Sequence, residues 1–412
     1  MTRRTAKQAA TKIAAVLGDN GYTALFAGGC VRDELLGRPP KDYDVATDAP
    51  PETVVELFPK TSQVGAKFGV VIVRLGGRQT EVATFRSDGA YLDGRHPERV
   101  TFSDAKADAA RRDFTINGMF LDPQDGRVID YVGGRVDLQD RLIRAIGEPD
   151  RRFAEDHLRM LRAVRFATQL GFTMEPQTAR AIRTYANHLT EISQERIRME
   201  LERVLGDPAR GRGWELLADS KLTPHLVPGF TWSAAELRAV NTRLAGLPER
   251  CPWPVPLAVL FHNQSPTPAE TLCKRLTCGN SVAKDVGWLL VRLAFCLATD
   301  HWELADLKTV RADCRAPGLC MLLEAELIGR EAPLDLHRSL TSRLEQIDPS
   351  EAAPDPLLTG DDLLGMGLQP GPIYSVILDR VYRSQLNEEI AAPAEALALA
   401  RRLADDQQAT PQ

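Results

Sequence analysis

The sequence predicts an α+β fold, with a mixed sheet in the first third of the chain and helices in the remainder. Short segments rich in β-branched residues alternate with helical segments up to about residue 145. After about residue 146 the strand signal fades, and apolar residues recur at helical spacing. With 412 residues, of which 43% are hydrophobic and 26% charged, the chain is long enough for two or more domains.

The first elements are short and are delimited by glycine and proline. An alanine-rich amphipathic helix is expected to end at Gly18, and a short strand is expected over residues 25–27. Gly28 and Gly29 then turn the chain into a second helix. A strand with two carboxylates follows, and Pro51 starts a third helix, because proline suits the first turn of a helix.

A hairpin and a long loop come next. Residues 69–75 and 79–85 are rich in β-branched side chains and flank Gly76-Gly77, which is typical of a tight hairpin turn. Residues 86–103 are rich in Gly, Asp and Arg and predict a long mobile loop.

Two later segments show clear helical periodicity. Apolar residues at a spacing of three and four predict one helix over residues 153–170 and another over 192–206. The remainder of the chain is predicted to be mostly helical.

The charge pattern excludes a uniformly basic nucleic-acid-binding protein. The formal net charge is −5, so any RNA contact must use a local basic surface. Residues 151–212 provide one, with twelve arginines, no lysine and eight acidic residues. The seven cysteines lack CxxC spacing, no apolar run reaches 18 residues, and the N-terminus lacks a signal-peptide pattern. We therefore expect a cytoplasmic protein with reduced thiols and no membrane association.

Asp42 and Asp44 flank a single residue shortly after the glycine pair. Because side chains alternate along a strand, the two carboxylates should point to the same face. The turn at Gly28 and Gly29 can bring backbone N–H groups to a phosphate, and Arg32 can add charge-assisted hydrogen bonds. The combination indicates metal-assisted nucleotide chemistry, although such a pair of aspartates is in most proteins a solvated turn or strand end.

Glu81 is a candidate third carboxylate. It lies on a segment that is expected to form a strand beside the one with the two aspartates. Two Mg²⁺ ions about 3.5–4 Å apart would need bridging carboxylates of this kind. The alternative is an exposed charge near the start of a strand.

Three motifs occur in order and together resemble one family. They are GGCVRDELLGRPPKDYDVAT, which contains the two aspartates, RRDFTINGM at 111–119, and RRFAEDHLRMLRAVRFA at 151–167. In these motifs the chain is similar to the bacterial tRNA nucleotidyltransferases, which are the class II CCA-adding enzymes and their poly(A) polymerase relatives. LLTGDDLLGMGLQPGPIYSVIL, at 357–378, is a weaker echo of that family's C-terminal tail.

The resemblance implies a polymerase-β-like head with a mixed sheet, followed by an all-helical neck, body and tail. The corresponding segments are 1–145 for the catalytic head, 146–212 for the neck, 213–330 for the body and 331–412 for the tail. The neck would recognise the base of the nucleotide, and the tail would contact tRNA.

The resemblance also assigns roles to residues of the head. It implies metal ligands at Asp42 and Asp44. It implies nucleotide contacts from Gly28, Gly29, Arg32 and Arg112, with Asp113 and Asn117 near the ribose. From the residues alone, Arg111 and Arg112 could equally be surface charges, and the FTINGM run after them is predicted to be a packed helix.

Asp156 and Arg159 are three residues apart, so on a helix they share a face. One interpretation is a surface ion pair worth under about 1 kcal/mol. The resemblance instead implies that this pair reads the incoming base. Cytosine and adenine each offer an amino donor beside a ring-nitrogen acceptor, which a carboxylate and a guanidinium can match. Uracil and guanine offer a carbonyl and a ring N–H there, so both contacts would be lost.

Further residues of the neck follow the same pattern. Arg162 and Arg165 continue the basic row and are implied nucleotide contacts, with a solvated helix face as the alternative. A set of charged residues on the next helix resembles a scaffold of ion pairs rather than direct chemistry: Glu195, Arg196, Arg198 and Glu200.

The implied activity is template-independent addition of CMP and AMP, from CTP and ATP, to the 3′ end of tRNA. Two Mg²⁺ ions would serve as cofactors, and the acceptor and T arms of tRNA would be held through phosphates and duplex shape.

Three alternatives stay open. The first is a poly(A) polymerase, but residues 64–73 lack the arginine-rich sequence associated with that branch, which favours tRNA. The second is an enzyme that adds only A. The loop over residues 86–99 argues against a CC-adding enzyme but does not separate full CCA addition from A addition. The third is a non-catalytic RNA-binding relative, against which the presence of both Asp42 and Asp44 argues.

Overall fold

The computed structural model describes residues 4–62, 69–89, 100–227, 230, 232–299 and 301–409. The chain divides into two compact units, Met1–Arg238 and Ala239–Gln412. All the residues that the sequence marks as candidates for the site lie in the first unit. The boundary between the units falls inside the segment expected to form the body, and the division into head, neck, body and tail stays a prediction.

A seven-stranded mixed sheet lies at the centre of the first unit. Its strands are β1 (Ala24–Ala27), β2 (Asp44–Thr47), β3 (Thr61–Ser62), β4 (Val70–Leu75), β5 (Arg78–Thr84), β8 (Phe120–Leu121) and β9 (Val128–Ile129). The strand order is β3-β4-β5-β2-β1-β8-β9. Strand β2 pairs antiparallel with β1 and parallel with β5, so the two-carboxylate segment runs into a central strand. The predicted α+β fold is confirmed.

The hairpin is confirmed at the predicted position. Strands β4 and β5 pair antiparallel up to Leu75 and Arg78, which leaves a two-residue turn. Gly76 and Gly77 have φ values of 59° and 76°, and two consecutive positive φ angles favour glycine in such turns.

The segment predicted as a loop over residues 86–103 is partly a ribbon. Strand β6 (Arg86–Asp88) pairs antiparallel with β7 (Val100–Phe102), so backbone pairing extends into both arms. Residues 90–99, which make up most of the predicted loop, and residues 64–68 lie outside the described part of the chain. A second ribbon pairs β10 (Leu142–Ile143) with β11 (Thr173–Met174), so the neck is not entirely helical.

Helices of the first unit surround the sheet and continue beyond it. Two 3₁₀ segments, Thr115–Asn117 and Ala186–Glu191, accompany them. The α-helices are α1 (Ala6–Asp19), α2 (Gly29–Leu35), α3 (Pro51–Leu57), α4 (Ala105–Ala110), α5 (Gly134–Gln139), α6 (Pro149–Glu155), α7 (Leu158–Leu170), α8 (Pro176–Tyr185), α9 (Gln194–Leu205), α10 (Arg210–Asp219) and α11 (Thr223–Leu226).

The prediction of one continuous helix over residues 153–170 is wrong, because this segment belongs to two helices, α6 and α7. The structure breaks it at Asp156, which has extended backbone angles (φ −147°, ψ 103°), and His157 precedes the first residue of α7. The Asp156 carboxylate accepts a hydrogen bond from the backbone N–H of Leu158 at 3.0 Å. Aspartate competes in this way with the helical ladder, and apolar periodicity does not register such a break.

The FTINGM segment is also not the packed helix that the sequence predicts. Only Thr115–Asn117 form a single 3₁₀ turn, and the chain then enters strand β8. Phe114, Ile116 and Met119 are fully buried, so these apolar residues belong to the core although they lie in and beside a 3₁₀ turn rather than in an α-helix.

The second unit is built from helices. A small core of Leu363, Ile377, Val381 and the alanines of the last helix holds its C-terminal part together. Within the described ranges, none of the helices has the length and apolar character required to cross a bilayer. The helices are α12 (Ala234–Gly246), α13 (Pro254–Leu260), α14 (Pro266–Arg275), α15 (Asn280–Ala298), α16 (Leu304–Ala312), α17 (Ala316–Gly329), α18 (Asp335–Glu345), α19 (Gly360–Gly365), α20 (Pro372–Leu386) and α21 (Pro393–Ala409).

Helix α5 packs unusually closely on the 3₁₀ turn that carries Asn117. A Cβ at Gly134 would lie 2.3 Å from the carbonyl oxygen of Thr115 and 2.8 Å from Met119. The buried hydroxyl of Thr115 donates to Asp137 at 2.7 Å across the same contact. The absence of a side chain at Gly134 therefore fixes the position of the turn.

We expect Gly134→Ala to destabilise the first unit by about 1–3 kcal/mol, because backbone rather than a flexible side chain would have to move. Thermal unfolding followed by circular dichroism measures the change. Gly18→Ala is the matched control. It lies inside α1, and its nearest obstacle is the end of the Gln124 side chain at 3.3 Å. The control should melt at or above the wild-type temperature, and equal melting of both variants would contradict the packing argument.

Candidate active site

One cavity of about 500 Å³ brings together residues from the sheet region and from helices α7 and α9. Every candidate nucleotide contact except Arg165 lines it, as does Asp44, whereas Asp42 and Glu81 do not. Its lining residues are Gly28, Gly29, Arg32, Asp44, Arg111, Arg112, Asp113, Asn117, Asp156, Leu158, Arg159, Arg162, Phe166 and Arg196.

The carboxylates gather at one end of strands β2 and β5. Asp42 and Asp44 are exposed on either side of the buried Tyr43, and Asp44 is the first residue of β2. Because Val45 pairs with Val82 in parallel register, the preceding residues Asp44 and Glu81 fall beside each other. The strand pairing therefore brings Glu81 to the aspartates.

The electrostatics of Asp44 reflect this crowding. Partial loss of surrounding water, followed by the charge of Glu81, raises the pKa of the Asp44 carboxyl to about 6, and Asp42 adds to the effect. The positive charge of Arg112 opposes it. A cation placed among the three carboxylates would relieve their repulsion, and carboxylate oxygens are the protein ligands that Mg²⁺ prefers. Asp42, Asp44 and Glu81 thus fit the metal that the sequence implies.

The glycine turn lies directly against the arginines. Gly28 has φ 76°, and a Cβ there would lie 3.1 Å from Nη1 of Arg112. The backbone N–H of Gly28 donates to the carbonyl of Met119 at 3.4 Å, so it is already engaged by the protein. Of the two glycines, Gly29 at the start of α2 is the better candidate for a phosphate contact.

A chain of hydrogen bonds joins α2 to α7 through the RRD motif. Arg32 donates to the side-chain oxygen of Asn117 at 2.8 Å, and Asn117 donates to Asp113 at 3.2 Å. Asp113 also accepts from Nε of Arg162 at 2.9 Å. Burial opposes the ionisation of Asp113, but the charge and hydrogen bonds of Arg162 outweigh it and lower the pKa of Asp113 to about 2. Asp113 is therefore a fixed negative charge between two helices.

Arg112 is held from a different direction. One oxygen of Asp108, Oδ2, accepts from both Nε and Nη2 of Arg112 at 3.1 and 2.9 Å. The guanidinium lies over the ring of Phe120, 5.1 Å from its centroid. This restraint directs Arg112 towards the cavity beside Gly28, which a freely solvated surface charge would not do.

Phe166 is a residue of the cavity that the sequence interpretation treats only as part of the core. The guanidinium groups of Arg32, Arg162 and Arg165 lie over its ring at 5.2, 5.5 and 4.2 Å. Its position seven residues after Arg159 places it on the same face of α7, and that spacing is the signal that could have identified it.

Arg165 turns away from the cavity. Three residues make less than one full turn of a helix with 3.6 residues per turn, so each step of three shifts the side chain around the helix. Arg159 and Arg162 therefore share a face, and Arg165 lies off that face. Arg165 instead pairs with Glu200 of α9 at 3.0 Å, and burial lowers its pKa to about 10. The scaffold of ion pairs expected on α9 thus includes Glu200, and it holds α7 in place.

Asp156 and Arg159 do not form an ion pair with each other. Asp156 pairs with Arg196 of α9 at 3.0 Å. Arg159, whose side chain is 9% exposed, pairs with Glu155 at 2.9 Å and donates to the carbonyl of Arg152 at 3.0 Å. Each member of the candidate base-reading pair is thus held separately, and both line the cavity. Arg196, expected to be purely structural, lines it as well.

Comparisons with known proteins match two regions of the chain to family models and almost the whole chain to a relative. Residues 24–144 match the family model of the Poly A polymerase head domain. Residues 171–232 match that of a probable RNA and SrmB-binding site of polymerase A. The CCA-adding enzyme of Geobacillus stearothermophilus is 37% identical over 401 residues, which is 95% of each chain.

Solved structures show the same likeness. The crystal structure of the Bacillus stearothermophilus CCA-adding enzyme in complex with CTP matches with a TM-score of 0.79 at 32% identity, over 99% of this chain and 100% of that one. The Thermotoga maritima CCA-adding enzyme complexed with tRNA matches in fold with a TM-score of 0.66 at 20% identity, over 95% of this chain and 94% of that one. By its identity to these enzymes over almost its whole length, the chain belongs to the family of class II CCA-adding enzymes and poly(A) polymerases.

Proposed function

We propose that this chain is a tRNA nucleotidyltransferase that adds CMP and AMP, from CTP and ATP, to the 3′ end of tRNA without a template. The observation that carries the proposal is that Asp44 and the pair Asp156 and Arg159 line one cavity. A nucleotide bound there would have its phosphates near the carboxylates and its base near the neck. The transfer joins the 3′ oxygen of the RNA to the α-phosphorus and releases pyrophosphate.

The carboxylate end of the cavity is proposed to hold the metal. Asp42 and Asp44, supported by Glu81, would bind Mg²⁺, two ions in our proposal. The bound metal would neutralise charge on the phosphates and lower the pKa of the attacking hydroxyl. Arg32 and Arg112 lie at the same glycine turn, and their guanidinium groups are suited to the oxygens of a triphosphate.

The opposite end of the cavity is proposed to select the base. Arg196 and the N–H of Leu158 hold the carboxylate of Asp156, which still has lone pairs to accept from an exocyclic amino group. Among the described residues, Arg159 uses three of its five N–H groups on Glu155, Arg152 and Arg111, which leaves donors for a ring nitrogen. Cytosine and adenine satisfy both groups, whereas uracil and guanine satisfy neither.

The tRNA is proposed to lie against the arginine-rich neck, 146–212, and the helical tail, 331–412. Phosphate contacts and recognition of duplex shape would hold its acceptor and T arms, because the grooves of A-form RNA give little access to base edges. The matched RNA-binding region at 171–232 supports the neck as one contact. We place the reaction in the cytoplasm.

Stepwise incubation tests the proposal and its alternatives. Purified protein is incubated with tRNA transcripts that lack the whole CCA end, its last two nucleotides, or only its last. CTP and ATP are supplied separately and together with Mg²⁺, and product lengths are read on a gel. We expect the full end to form only when both nucleotides are present. Incorporation of AMP but of no CMP on any transcript would indicate an A-adding enzyme. Long A tails would indicate a poly(A) polymerase, and no extension of any transcript would overturn the proposed activity.

Asp42→Ala and Asp44→Ala should each lower nucleotide transfer by more than about 1000-fold, the equivalent of ~4 kcal/mol, because the metal loses a ligand. Melting temperature and RNA binding should change little. Asp48→Asn, which removes a charge just after β2, is the control and should stay active. Turnover near wild type in either alanine variant would show that these residues do not bind the catalytic metal. The Glu81→Gln variant is measured in the same assay. It loses activity if Glu81 binds the metal, and it keeps activity if Glu81 is only an exposed charge.

Asp156→Ala should weaken discrimination of CTP and ATP against UTP and GTP by roughly 1–3 kcal/mol, the value of one good polar pair with a base. Incorporation of each of the four triphosphates, compared as kcat/KM, measures the change. Asp150→Ala, on an exposed position of α6, is the control. An unchanged order of preference would show that Asp156 serves only as the ion-pair partner of Arg196.

Asp113→Asn should destabilise the first unit by about 2 kcal/mol at pH 7, because the pKa of Asp113 is lowered and its charged form stabilises the fold. A lowered pKa gives stability that is present above about pH 4 and is lost as the pH falls through about 2. The difference in unfolding free energy between variant and wild type should therefore shrink below pH 4. Asp140→Asn is the exposed control, and a difference that does not depend on pH would contradict the network.

A further inference from the structure

We propose that His157, His188 and Glu191 form a second metal site, separate from the carboxylates of the head, that takes a zinc-like divalent transition-metal ion. His157 immediately precedes helix α7, and His188 and Glu191 lie on the 3₁₀ segment Ala186–Glu191. None of the three residues lines the proposed nucleotide cavity.

The ligand atoms are already close together. Nδ1 of His188 lies 2.7 Å from Oε1 of Glu191, and Nε2 of His157 lies 3.3 Å from Oε2 of the same carboxylate. One ligand atom from each residue can be chosen so that all three lie within 4.8 Å of one another. The two imidazole rings are stacked with centroids 4.9 Å apart. Because an ion lies in the plane of each imidazole that binds it, the exposed ring of His188 would have to turn out of the stack to place the three atoms around one ion.

His157 has a buried nitrogen that the protein leaves unused. The residue is 7% exposed, and its Nδ1 has no hydrogen-bond partner in the described part of the chain. A neutral imidazole has one donor nitrogen and one acceptor nitrogen, so His157 retains ligand capacity beyond its contact with Glu191. Because nothing in the described part of the chain bonds to Nδ1, the ring can carry its proton there and present the lone pair of Nε2 to an ion beside Glu191.

The other two ligands are accessible. The side chains of His188 and Glu191 are 38% and 59% exposed, which gives an ion a route from solvent. A glutamate carboxylate is ordinarily ionised at neutral pH, so Glu191 can bind a cation.

The composition of the cluster selects the class of ion. Two imidazoles and one carboxylate form a set typical of zinc sites that keep a fourth position open for water. Mg²⁺ prefers oxygen ligands and keeps several waters, so it suits the carboxylates of the head and not this cluster. The two sites should therefore differ in the metals that they bind.

The position of the site gives it a structural consequence. Asp156 precedes His157 directly, and Arg159 follows two residues later. An ion held by His157, His188 and Glu191 would tie the start of α7 to the 3₁₀ segment. It would thereby restrain the segment that carries the proposed base-reading pair.

Metal titration of the full chain without nucleotide or RNA tests the site, so the result does not depend on the proposed activity. Co²⁺ serves as a spectroscopic probe through its visible absorption, and Zn²⁺ binding is measured by calorimetry in excess Mg²⁺. We expect one Zn²⁺ to bind per protein chain. The affinity for Zn²⁺ should fall at least tenfold in His188→Ala and in Glu191→Gln.

His225→Ala, in the same unit but outside the cluster, is the matched control and should bind as the wild type does. Both tested side chains are exposed, and melting temperatures verify that the variants are folded. Zn²⁺ affinity in His188→Ala and Glu191→Gln equal to that of the wild type would assign the metal to other groups, such as the cysteines, and overturn the proposal. Absence of Zn²⁺ binding by the wild-type protein, or displacement of Zn²⁺ by Mg²⁺, would overturn it as well.

Discussion

The candidate active site depends on one partly buried charge, the carboxylate of Asp113. It accepts from Asn117 on one side and from Arg162 on the other, and Asn117 in turn holds Arg32. A single anion therefore orients two of the guanidinium groups that line the cavity and ties the glycine turn to helix α7. Because the same arginines lie over Phe166, the network has an apolar wall as well as a charged centre. Without this anion Arg162 would lose the carboxylate that orients it, and the hydrogen-bonded link between the glycine turn and α7 would be broken.

The two residues proposed to read the base are each held by a different neighbour. A carboxylate and a guanidinium that paired with each other would compete with the nucleotide for their own hydrogen bonds. Here Asp156 is held by Arg196 and Arg159 by Glu155, so the two groups stay apart and keep fixed orientations. Preorganisation of this kind lowers the cost of ordering side chains when a ligand binds. If Asp156 and Arg159 read the base as proposed, Arg196 of α9 takes part in specificity without having to contact the base.

The sequence predicted those parts of the fold and site that depend on local pattern. Glycine, proline and β-branched residues located the hairpin and helix α3, and the motifs located most of the residues that line the cavity. Features that apolar periodicity and the order of motifs do not register were missed. At the break, the side chain of Asp156 accepts a hydrogen bond from the backbone N–H of Leu158, and apolar periodicity continues through this position. Arg165 continues the series of arginines at a spacing of three residues, but it lies on a different face of α7 because three residues are less than one helical turn. Arg196 and Phe166 join the site only through the packing of α7 on α9 and on the arginines.

The pairing of β2 with β5 has a consequence for how the protein reaches its native state. Strands β4 and β5 are joined by a two-residue turn, so their pairing is local. Strands β2 and β5 are neighbours in the sheet but are separated along the chain by α3, β3 and β4. Non-local parallel pairings of this kind form slowly, because a long stretch of chain must be closed first. The carboxylate cluster that spans the two strands therefore depends on a non-local pairing. A nascent chain that has emerged from the ribosome only as far as β4 contains both aspartates but lacks the strand that brings Glu81 to them.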